Sequence, residues 1–122
     1  MTNIDLQKTI FLDVDGSILK HFGSLYELTQ NPPEVLDGVR EKLQEWCLKD
    51  YKIVLTTGRP KSMRKYTKKQ LSDCGIFYYD ELIMGCRRGS RVVINDKKPN
   101  SDQDTAIAVN LERNKGMKGL DI

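Results

Sequence analysis

The 122-residue sequence predicts a single α/β domain spanning 1–122, built on a mainly parallel sheet in three layers. Three observations carry that expectation. Apolar runs of strand length alternate with segments of helical periodicity, which implies right-handed crossover connections. The first two runs stop abruptly in polar residues and glycine, Asp13-Val14-Asp15-Gly16 and Thr56-Thr57-Gly58. A later run, Arg91-Val92-Val93-Ile94, ends the same way in Asn95-Asp96.

Thr9-Ile10-Phe11-Leu12 reads as a buried strand that runs into two carboxylates one residue apart. Residues 17–31 are expected to form an irregular flap or short hairpin, with Gly23 at a turn. Pro32-Pro33 punctuates the chain, and a helix is expected from Pro33 to about Lys49. Its apolar positions, Val35, Leu36, Val39, Leu43, Trp46 and Cys47, share one face, with Trp46 as a core residue. Tyr51–Thr57 is the second strand, ending at Gly58-Arg59-Pro60. A strongly basic helix follows from Lys61 to Cys74, closed by Gly75. A third strand falls within Ile76–Met84, and a further one covers Arg91–Asp96. Thr105–Leu111 is rich in β-branched residues, which favours strand over helix. The last eleven residues, with Gly116 and Gly119, are expected to be loose or docked in an oligomer.

Charge and composition narrow the function classes. Twenty Lys and Arg against 17 Asp and Glu leave +3, too mild to imply nucleic acid. No apolar stretch approaches the roughly 20 residues that span a membrane. Met1–Asp5 lacks the basic start and apolar core of a signal peptide, so a cytoplasmic location is expected. Cys47, Cys74 and Cys86 fit no metal pattern and read as isolated thiols, Cys47 and Cys74 partly buried in helices. The single His21 builds neither a histidine metal site nor a Ser-His-Asp triad. Catalysis must therefore use carboxylates, hydroxyls and amines.

In a parallel sheet all carboxyl ends lie on one edge, where ligands bind. That edge gathers Asp13 and Asp15, Thr56-Thr57-Gly58, and Asn95-Asp96, a set suited to phosphoryl transfer. Asp13 is the candidate nucleophile, and Asp15 the candidate acid and base. Thr57 and the Gly58 amide would hold phosphate oxygens, with a helix N-terminus behind them. Asp13, Asp15 and Asp96 would bind Mg²⁺ and offset repulsion between carboxylates and phosphate.

Ile-Phe-Leu-Asp13-Val-Asp15-Gly16-Ser17 resembles motif I of the haloacid dehalogenase (HAD) superfamily phosphatases. Leu55-Thr56-Thr57-Gly58-Arg59 resembles motif II and Val-Val-Ile-Asn95-Asp96 motif IV, in the correct order over about residues 8–100. The resemblance implies a Rossmann-like core, Mg²⁺ bound partly through the Asp15 backbone carbonyl, and hydrolysis through an aspartyl-phosphate. The substrate implied is a small phosphate ester, such as a sugar phosphate. Gly16, Thr56, Gly58, Arg59 and Arg87 fall at phosphate or substrate positions. The flap at 17–31 leaves no room for a cap domain, and capless members act on large substrates or close the open site with a neighbouring subunit. Two departures stand out. Gly85-Cys86-Arg87-Arg88 holds no motif III lysine, and Asn95 replaces the first motif IV acid. Lys98, stiffened by Pro99, is the expected substitute cation, with Arg87 second. The alternative is a degenerate HAD-like binding or assembly protein. A response-regulator receiver is disfavoured because Leu55 and Thr56 stand where its acceptor Asp would be. A nucleotide-sugar transferase would need a longer chain.

Overall fold

The structure, a computed structural model, describes residues 6–122; the expectation for Met1–Asp5 lies outside them. Strands β1 (Thr9–Asp13), β2 (Lys52–Thr56) and β3 (Glu81–Ile83) form a parallel sheet in that order. The register pairs Leu12 with Leu55 and Leu55 with Leu82, and it aligns Asp13, Thr56 and Ile83 at the carboxyl edge. Helices α1 (Leu25–Gln30) and α2 (Val39–Leu48) connect β1 to β2. A 3₁₀ turn at Lys61–Met63 and helix α3 (Arg64–Asp73) connect β2 to β3. The strand–helix–strand alternation read from the sequence is thus present.

Leu12, Ile53, Leu55 and Leu82 share one core with Val39, Leu43 and Trp46 of α2 and Leu71 of α3. Both long helices therefore cover the same sheet face. On the other face Phe11 is 58% exposed and Ile83 is also exposed. Both crossovers advance in one direction across the sheet and so return on one side, while Val54 of the central strand is buried on the opposite face.

The flap contains a helical turn rather than a hairpin. Ser24 caps α1 by accepting from the Glu27 amide, and Pro32-Pro33 prevents its extension. Pro33–Asp37 is not helical: Leu36 donates to the Ile18 carbonyl and Lys20 to that of Glu34. Helix α2 starts only after Gly38, whose φ is 76° and whose missing side chain makes room for the Lys118 backbone.

The largest departures follow Met84. Arg91–Asp96 and Thr105–Leu111 form no strand; Val92 is 77% and Ile94 93% exposed. β-branched composition reports how well a residue fits a paired, half-buried surface, and here neither run has a ladder partner. Only the Thr105 hydroxyl reaches across, to the Asp96 carbonyl. Conversely, the C-terminal residues dock on their own chain. The Met117 amide donates to the Asp37 carbonyl, Met117 is buried, and Asn114 bonds both Gly16 and His21. Cys47 proves exposed, and Cys74 is half-buried just past α3. Among the described residues no helix is long and apolar enough to cross a membrane.

Candidate active site at the carboxyl edge of the sheet

The turn after β1 is built to hold two carboxylates. Val14 donates to the Thr56 carbonyl at 3.0 Å and continues the ladder one residue past Asp13. Ile18 and Leu19 both donate to the Val14 carbonyl, and the Gly16 amide to that of Leu19. Val14, Ile18 and Leu19 are buried, which anchors the loop in the core. Gly16 takes φ 97°, a conformation that disfavours a β-carbon.

The two carboxylates receive different surroundings. The Asp13 side chain is 47% exposed, with Arg91 Nη2 at 3.8 Å from Oδ1. Burial of part of the group lifts its carboxyl above the ordinary value; Arg91 opposes this, and the Asp15 charge adds to it. The Val14 amide and His21 pull weakly downward. Asp15 is held by a two-pronged fork: Arg59 Nε donates to Oδ2 at 2.9 Å and Nη2 to Oδ1 at 2.8 Å.

Arg59, expected at the phosphate rim, is only 3% exposed. Its Nη1 donates to Thr67 Oγ1 at 3.0 Å and Gln70 Oε1 at 2.7 Å, both on α3. Those four bonds turn it inward, away from any ligand. Thr57 is likewise buried. Its hydroxyl accepts from the Arg59 amide and donates to Asp15 Oδ2 at 3.4 Å, and its amide is spent on the Ile83 carbonyl. A phosphate-holding role for Thr57 would need those bonds to open. Thr56 is half-buried and Gly58 exposed at the same edge.

Other expected site residues stay apart. Asp96 and Lys98 are exposed; Asp96 does not join Asp13 and Asp15 in a group able to hold a metal ion, and Lys98 makes no ion pair with either. Asp96 uses its amide on Asn95 Oδ1, and Lys98 accepts a bond from Ser101. Residues 92–98 have no sheet partner, and Arg91 is the residue of this run that reaches the edge, at Asp13. Arg87 is exposed and contributes its carbonyl, which accepts from Arg91 Nη1 at 3.0 Å. Among the described residues no group of three or more His, Cys, Asp or Glu could hold a metal ion. With the Asp15 carboxylate engaged by Arg59 and Asp96 apart, the expected three-residue Mg²⁺ set does not fit this arrangement.

No protein-family model matches this chain. Searches of curated proteins and of solved structures find no match either.

Arg91, Thr67 and Gln70 are the site residues that sequence reasoning missed. Thr67 and Gln70 left a faint signal, as uncharged polar positions spaced i, i+3 on a helix otherwise crowded with Lys and Arg. Arg91 left none, since it read as the first residue of a strand.

Proposed function

We propose that this chain is a phosphohydrolase of HAD type acting on a phosphomonoester, with a sugar phosphate as the expected substrate class. The carrying observation is that two carboxylates one residue apart have unlike surroundings, one half-exposed beside a cation and one locked by a buried arginine. Such a division is how a pair of like groups takes different roles. Asp13 attacks phosphorus, the bond to the leaving oxygen breaks, and an aspartyl-phosphate forms. Asp15 relays a proton from the monoanionic phosphate ester to the leaving oxygen, then takes one from the water that hydrolyses the intermediate and releases it with the phosphate. Arg91 supplies the positive charge that Lys98 and Arg87 were expected to supply. A cytoplasmic setting suits the three free thiols.

A binding or assembly role without catalysis is the second reading, favoured by the separation of Asp96 and Lys98 from Asp13. Hydrolysis of an aryl phosphate, with Mg²⁺ and with EDTA, distinguishes the two. Turnover above buffer in either condition supports the enzyme; none in both supports binding alone. Within an active protein, Arg91→Ala is expected to lower kcat/KM about a hundredfold by removing the cation facing the phosphoryl group. Lys98→Ala and Asp96→Ala are expected to stay within about twofold of wild type. The reverse pattern would show that the loop after Ile94 closes on the site.

A further inference from the structure

We infer that Arg59 is a positioning residue: it fixes the Asp15 carboxylate for reaction, and Thr67 and Gln70 of α3 fix Arg59 in turn. The inference rests on the reading of Asp13 and Asp15 as reacting carboxylates. Arginine is almost never fully buried unless paired, and a buried ion pair is often no more stabilising than an apolar replacement of similar volume. The sheet edge therefore has little thermodynamic reason of its own to hold this group. What the guanidinium supplies is direction. Nε and Nη2 grip the two Asp15 oxygens separately, which stops the carboxylate rotating about its bond to Cβ. The remaining nitrogen, Nη1, is anchored at its far side by two acceptors on one helix, Thr67 Oγ1 and Gln70 Oε1. Thr57 braces the same unit, accepting from the Arg59 amide and donating to Asp15. Lysine could not reproduce this, because its ammonium is a point charge without a planar fork. Each Asp15 oxygen still has a lone pair directed away from the fork, so the clamp leaves the carboxylate able to exchange a proton.

This role separates from two others by what it does to kinetics. A residue that binds substrate changes KM, and a merely structural one changes stability without changing the turnover of folded enzyme. A positioning residue lowers kcat alone. Steady-state hydrolysis of an aryl phosphate would be measured for wild type, Arg59→Met, Arg59→Lys, Gln70→Leu and, as a control on the exposed side of α3, Ser72→Ala. Melting curves would establish the folded fraction of each. The expected result is a fall in kcat of about a hundredfold in Arg59→Met, with KM within about twofold. Arg59→Lys should recover part of the rate. Gln70→Leu keeps the Arg59–Asp15 pair but loosens its anchor, so kcat should fall about three- to tenfold. If Arg59→Met does not fold, Gln70→Leu reads the same effect through the anchor. An unchanged kcat in folded Gln70→Leu and Arg59→Lys would overturn the inference in favour of a structural ion pair. A raised KM at constant kcat would overturn it in favour of substrate contact. Wild-type protein with no turnover above buffer would overturn the phosphohydrolase reading itself, an outcome visible before any variant is made.

Discussion

Asp13→Asn is expected to lower turnover by about a thousandfold or more while the protein stays folded. The amide keeps the shape of the carboxylate but cannot attack phosphorus. The same substitution carries a second, independent signature in stability. Burial lifts the Asp13 carboxyl above its ordinary value of 3.8 in the folded chain. A raised carboxyl value means that the folded state holds the proton more tightly than the unfolded state does. Ionisation above that value therefore costs stability, and protonation restores it as pH falls through the raised value. Asn carries no such cost. The variant should accordingly melt above wild type at neutral pH, and the difference should shrink as pH falls towards 3.8. Melting curves across that range check the sign. A variant that melts below wild type at neutral pH would mean that the Arg91 contact outweighs burial.

Gly116→Ala is expected to destabilise the fold by about 3 kcal/mol, through two causes. Gly116 has φ 80°, where a β-carbon costs roughly 1–2 kcal/mol. That β-carbon would also overlap the Asp37 carbonyl and amide, and forcing atoms into occupied space costs roughly 1–3 kcal/mol more. Against a total stability of about 5–15 kcal/mol, the loss should appear as a drop of more than about 10 °C in Tm. The consequence would reach the site. Residues 111–122 hold Asn114, whose amide donates to the Gly16 carbonyl and whose side chain grips the His21 backbone on both sides. Loosening this strap frees the loop that carries Asp15. A Tm unchanged within about 2 °C would show that the strap does not hold the fold together.

The legible and illegible parts of this chain divide along physical lines. Thr9–Asp13 and Lys52–Thr56 could be read because each is a short apolar run cut off by polar residues. The inward face of α2 could be read because Val39, Leu43 and Trp46 recur at helical spacing. The start of α2 could not, since Gly38 turns left-handed against the Lys118 backbone, a neighbour far away in sequence. Arg91–Asp96 misled because its β-branched residues signal a willingness to pair, whereas strand formation also needs a partner edge. Asp13 and Asp15 were legible as a pair, but their division of labour was not. It depends on the burial of Arg59, a residue type expected at the surface, and on two uncharged acceptors one helix away.

Covalent trapping distinguishes Asp13 as the nucleophile from every other carboxylate of the chain. The protein would be incubated with an aryl phosphate, quenched in acid, reduced with borohydride, and digested for mass spectrometry. Borohydride converts an acyl phosphate to the alcohol, so an aspartyl-phosphate is read as homoserine at the modified position. That conversion is expected at Asp13 and is lost in Asp13→Asn. Conversion at Asp15 or Asp96 instead, or hydrolysis without any trapped aspartate, would contradict that assignment.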